Sequence, residues 1–209
     1  MKKNIYMASV IAAVVSANTF AAGVDGWDAN NSWDADKTNG PVAGTTTDTA
    51  TAELLFRGDL PYVVGGHYIT ITGAGGSLVE EGTLEVEKDG TFATLKNITT
   101  EVHKFNEASN VTGPILTDSD ASEVSWTMSV APVLSAIKTD VSVATNSPIL
   151  RLNGKEVSEK VHEEISNGKG TPSEVASVYW GVSNKTQIAD VQSGDEFTVQ
   201  AQVDVAVKF

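Results

Sequence analysis

The chain has three histidines, 27 acidic residues and no cysteine, so any chemistry it performs rests on carboxylates, imidazoles and hydroxyls. His67, His103 and His162 stand far apart, and none falls at a spacing that lets two side chains share a zinc ion. The run His162-Glu163-Glu164 lacks the second histidine of a metalloprotease helix. There is no Gly-x-Ser-x-Gly elbow and no glycine loop of the kind that cradles phosphate. Asp118, Asp120 and Glu123 cluster in a polar stretch and offer the hard oxygens that calcium prefers, but their spacing completes no EF-hand loop. Solvated turn acids are the simpler account. Arg57-Gly58-Asp59 spells the tripeptide that integrins recognise, and a turn ending a strand accounts for it equally well. No catalytic residue, metal site or cofactor emerges. The chain reads as a non-enzyme.

Function must then lie in the elements themselves, and the last one is the clearest. From Phe197 to Phe209 every odd position is apolar: Phe197, Val199, Ala201, Val203, Val205, Val207 and Phe209. The even positions are polar except Ala206. A period of two buries one face of a strand and wets the other. The chain ends on this strand, so its second edge needs a neighbour, because an exposed apolar edge invites aggregation. An earlier strand, barrel closure or a strand lent by another molecule would each serve.

Residues 1–21 read as a secretory signal: Lys2 and Lys3, an apolar run from Ile5 to Val15, and Thr19-Phe20-Ala21 as a small-residue cleavage site. The apolar run is too short to span a bilayer as a helix. That segment holds two lysines and no acids, so its removal deepens the net charge from −13 to −15. So acidic a surface argues against nucleic acid and anionic membranes as partners. Residues 22–48 form a polar arm with too few aliphatics to build a core. It nevertheless carries Trp27-Asp28-Ala29 and Trp33-Asp34-Ala35. The even offset puts Trp27, Ala29, Trp33 and Ala35 on one face of an extended strand, against either its own body or a neighbour.

Residues 49–209 read as an all-β body of short strands. Ala50, Ala52, Leu54 and Phe56 share one face of the first. Asp89-Gly90 and Asn153-Gly154 are hairpin signals, and Trp126 sits in a clean alternation from Val124 to Val130. Val178, Trp180 and Val182 mark the penultimate strand. Only Ser158 to Ser166 hints at a helix. The count and spacing suit a β-sandwich or barrel. A membrane barrel needs strands of about ten residues with aromatic girdles, and aromatics are only 7% of the chain. A self-contained carbohydrate-binding sandwich would use exposed aromatics such as Tyr179 and Trp180.

The signal, the polar arm, the strand Ala52-Glu53-Leu54-Leu55-Phe56-Arg57-Gly58, the stretch Ile149-Leu150-Arg151-Leu152-Asn153-Gly154 and the alternating close together resemble a major subunit of chaperone–usher fimbriae. The likeness is to coli surface-antigen fimbriae of the fifth-antigen type. It implies an incomplete immunoglobulin-like β-sandwich completed by a donor strand from a neighbouring subunit. It also implies export through the periplasm to the cell surface. A periplasmic chaperone, an outer-membrane usher and identical subunits are the implied partners, with a host-cell glycan or protein as receptor. In that scheme Phe197, Val199, Val203, Val205 and Phe209 line one wall of an acceptor groove, and Leu54 and Phe56 the other. Trp27, Ala29, Trp33 and Ala35 form the inserted face of the donor, and the Phe209 carboxylate anchors on the chaperone. Strand addition of this kind draws strength from backbone hydrogen bonds and selectivity from alternate side chains.

Overall fold

Alternation of apolar and polar side chains dictates the architecture. In the computed structural model, residues 47–56, 63–141 and 148–209 are described, with only the backbone of Leu55 and Phe56. The strands are β1 (Thr47–Phe56), β2 (Val63–Val64), β3 (Ile69–Thr72), β4 (Thr83–Val86), β5 (Phe92–Lys96), β6 (Ile98–Asn106) and β7 (Val111–Ile115). They continue with β8 (Glu123–Ala136), β9 (Ile149–Leu152), β10 (Lys155–Glu156), β11 (Glu164–Gly170), β12 (Ser177–Ser183) and β13 (Phe197–Lys208). Among the described residues a 3-10 turn, Ala74–Gly76, and one short α-helix, α1 (Pro172–Val175), interrupt them. The protein is all-β. No helix among the described residues is long and apolar enough to cross a membrane.

Two antiparallel sheets divide these strands. The first has the order β11-β8-β13-β1-β2, and the second runs β10-β9-β12-β5-β4. In the second sheet β6 also pairs with β12 and carries β3 and β7. The core lies between the sheets. Trp126 of β8 and Trp180 of β12 meet edge to face, with ring centroids 5.4 Å apart and planes at 74°. Such a contact contributes about 0.5–1.5 kcal/mol beyond the area it buries. Neither indole reaches solvent, so each N–H needs a partner inside. Trp126 Nε1 donates to the Val175 carbonyl at 2.9 Å, and Trp180 Nε1 to Thr100 Oγ1 at 2.8 Å.

Both predicted hairpins form where the sequence places them, β4 to β5 and β9 to β10. Asn153 and Gly154 take φ of 50° and 78°, the left-handed pair that a two-residue turn between twisted strands demands. The expected helix over Ser158 to Ser166 does not form. His162 has φ of 69°, which no right-handed helix accommodates, and Glu164–Gly170 is instead β11 with a bulge against β8. The helix that does form starts at a signal the sequence carries. Thr171 caps it, Glu174 returns a bond to the Thr171 N–H, and Pro172 occupies its first turn.

β1 opens at Thr47, two residues inside the segment read as the arm. Residues 1–21, read as a signal, the rest of the arm with Trp27, Ala29, Trp33 and Ala35, and Arg57-Gly58-Asp59 lie outside the described residues.

Candidate functional site

The alternation of β13 is realised in full: Phe197, Val199, Ala201, Val203, Val205, Val207 and Phe209 are all buried. What surrounds the strand differs from the expected picture. β13 has a neighbour on each side within its own chain, β8 and β1, both antiparallel. The β1 ladder runs unbroken from Thr47 opposite Lys208 to Phe56 opposite Val199. Leu54 stands opposite Ala201, so the two sets of residues expected to wall a groove belong to adjacent, hydrogen-bonded strands. No slot for a third strand lies between them. The track beside β13 is filled by β1 itself.

β1 earns that place by its own pattern. Ala50, Ala52 and Leu54 turn inward and are buried, Ala52 and Leu54 completely. On the outer face Asp204 of β13 accepts from Thr51 Oγ1 at 2.6 Å and from Ser129 Oγ at 3.0 Å, tying three strands together. Glu53 contacts Gln200 in the same layer. On its far side, among the described residues, β1 pairs with the two residues of β2, Thr51 opposite Val64 and Ala52 opposite Val63. Thus β1 leans on β13 along its whole length and on little else in its own sheet. At the opposite side of that sheet β11 covers the first half of β8 and leaves its second half as the edge. It carries Pro132, a residue that cannot donate to an added strand and so discourages pairing there.

One residue breaks the apolar inner face of β1. Asp48 lies in phase with Ala50, Ala52 and Leu54 and is only 9% exposed. A buried carboxylate must find hydrogen-bond donors, and it finds three backbone amides. Asp48 Oδ1 accepts from His67 N–H at 3.4 Å, and Oδ2 from Tyr68 N–H at 2.8 Å and Ile69 N–H at 3.2 Å. Loss of solvent pushes the Asp48 carboxyl above its usual range, partly offset by those amides and by His67 nearby. Residue 66 has to be glycine for this contact, because a Cβ there would collide with the Asp48 carboxylate and the Thr49 carbonyl. Beside the notch, Tyr68 stands edge-on to Phe209 with centroids 6.1 Å apart, and His67 Nδ1 contacts Glu107.

The other candidate residues are dispersed. His103 is buried, with Nδ1 2.8 Å from the Gly113 carbonyl and Nε2 2.9 Å from Glu101. Asp118 accepts from the Ser173 N–H and hydroxyl at 2.8 and 2.7 Å, which ties down the start of α1. Asp120 contacts Lys104 and Glu123 lies 3.4 Å from Lys169, so the three acids point to different partners. Among the described residues no group of His, Cys, Asp and Glu is placed to hold a metal ion. Tyr179 is 43% exposed, but Trp180 is fully buried and offers no stacking face.

Comparison with family models, curated proteins and solved structures finds no match to this chain.

Proposed function

We propose that this chain is a structural subunit of an adhesive surface fibre, polymerising head to tail by exchange of a strand. In this reading the body is an immunoglobulin-like sandwich whose last inter-strand position is filled by a removable strand. The observation that carries it is the placement of β1. The first described strand seats beside the last, with a two-residue pairing on its outer edge among the described residues. If β1 of one copy seats beside β13 of the next, every contact is reproduced between molecules. The interface is then heterologous and builds a filament rather than a closed dimer. β1, rather than the expected groove wall, is the donor in this scheme. The arm bearing Trp27, Ala29, Trp33 and Ala35 precedes it. Export through the periplasm, a chaperone that holds the β13 edge before exchange, an outer-membrane usher and a host-cell receptor complete the proposal. Multivalency along a fibre strengthens even a weak receptor site.

A self-contained carbohydrate-binding module is the competing reading, and of the two aromatics read for sugar stacking the burial of Trp180 leaves it Tyr179. The test uses a permutant. Thr47 lies opposite Lys208, so a linker of about four residues can join Phe209 to a relocated 47–56 segment as a hairpin. Residues 22–209 are expected to form a ladder of detergent-resistant oligomers on concentration. The permutant, lacking a free donor, is expected to remain a monomer with the same circular dichroism. A permutant that polymerises equally well, or a natural chain that stays monomeric at every concentration, overturns the proposal.

A further inference from the structure

Strand exchange needs a register, and most of β1 supplies little of it. A slip of one residue is forbidden because it turns the apolar face outward. A slip of two keeps the face inward. The inward positions of β1 are Asp48, Ala50, Ala52 and Leu54, with Phe56 next in phase, so the middle of the strand presents the same small side chain twice. Only the positions flanking that repeat distinguish one register from another offset by two. Leu54 does so by volume, and Asp48 by charge.

The site that Asp48 enters is held by bonds within its own turn and to β6. Gly66 N–H donates to the Ile69 carbonyl at 2.8 Å, closing the turn on itself. Phe105 N–H donates to the Tyr68 carbonyl at 2.7 Å, and Ile69 and Thr70 are laddered to Lys104 and His103 of β6. The turn therefore belongs to the second sheet, whereas β1 belongs to the first. Its amides from His67 to Ile69 converge on one carboxylate. Any register that withdraws Asp48 leaves these amides without their acceptor and buries an unpaired polar group elsewhere.

We propose that these three amides form a carboxylate-accepting notch that reads the register of an incoming strand, and that its occupant in the fibre is Asp48 of a second copy of this chain. The inference rests on the strand-exchange reading and adds to it a sequence rule. A strand seated beside β13 carries an acidic residue two positions before its first inward alanine. Strands with the same apolar alternation but no acid there seat weakly and in mixed registers.

The experiment leaves the receiving chain unaltered. Residues 22–209 are unfolded in denaturant and refolded with an excess of fluorescent peptide spanning 47–56, so that peptide and resident β1 compete at equilibrium. The natural peptide is compared with peptides carrying Asp48→Ala and Asp48→Asn. The alanine peptide is expected to be taken up about tenfold less, the value that follows from losing hydrogen bonds to a charged acceptor. Asparagine, which keeps one acceptor oxygen, is expected to fall between. A photo-crosslinker at position 51 reads the register. The natural peptide should mark Asp204, its partner in the ladder. The alanine peptide should also mark Gln202 and Ala206. Equal uptake with the same crosslinks overturns the notch while leaving strand exchange intact. Failure of the natural peptide to enter at all overturns the exchange reading on which the notch rests.

Discussion

At each end of β13 an aspartate gathers backbone amides, and the two sites differ in what they hold. Asp195, just before the strand, accepts from the N–H groups of Ile137, Lys138, Thr139 and Glu196 at 3.0, 2.8, 2.6 and 2.8 Å. It fastens the start of β13 to the segment that follows β8. Asp48 fastens the far end by holding β1 to the turn before β3. Asp195 is partly open to water, and although burial raises its carboxyl, the amides and the Thr139 hydroxyl outweigh it and hold the group well below the usual range. Asp48 is desolvated, and for it burial wins. The same motif thus shifts its carboxyl in opposite directions, because solvent decides how cheaply a carboxylate keeps its charge. The open latch joins β8 and β13, which are neighbours in every version of the fold. The dry latch joins the strand proposed to leave.

The strongest way to break this comparison is Gly66→Ala. The added Cβ has no room beside Asp48 and the Thr49 carbonyl, and overpacking of this kind costs about 1–3 kcal/mol. Amide hydrogen exchange should quicken across 47–52, while residues 133–139 keep their protection. Equal loosening at both ends would mean that the latches are not independent.

Acidification sharpens the contrast. The folded pKa of Asp48 is raised, so its contribution to stability is fully present below the unfolded value of about 3.9 and is lost as pH rises through the folded value. Asp195 has the opposite sign. Its contribution is present above that unfolded value and is lost as pH falls through the depressed folded one. Protection of β1 should therefore rise as pH falls from neutral towards about 4, with the Asp195 end unchanged until more acid pH. Asp48→Asn should remove the first trend and Asp195→Asn the second, as read by hydrogen exchange along a pH series.

The smallest expected effect is that of Asp204→Ala, which acts midway between the latches. It removes acceptors for Thr51 and Ser129 on the half-exposed face, and about 0.5–1.5 kcal/mol of stability should go with each hydrogen bond at most. Thermal melts should show a modest shift, with uptake of the 47–56 peptide still in register.

Much of this arrangement is legible in the sequence, within a definite limit. The alternation of β13 names its buried face, and Asp89-Gly90 and Asn153-Gly154 name their hairpins, because both signals are local. Periodicity does not name a neighbour, so the same residues that identify β13 leave its partner open among an earlier strand, barrel closure and a strand from elsewhere. Asp48 escaped notice because it is the last residue of the stretch that reads as a polar arm, one position before the body begins. The available signal was its even spacing from Ala50, Ala52 and Leu54, which places a carboxylate on an inward face. β11 was obscured by its polar, glycine-bearing sequence and its bulge, which together erase the period of two.

The ladder between β1 and β13 also sets the order in which the molecule can assemble. Thr51 and Asp204, joined across it, are 153 residues apart, so this pairing closes the longest loop among the described strands, and loop-closure entropy makes such contacts slow to form. β8 lies much nearer to β13 along the chain than β1 does, so β13 can pair with β8 before β1 docks. For that interval the apolar edge of β13 stands open. Residence time in that intermediate, more than the affinity of any final pairing, sets how often another molecule reaches the edge first.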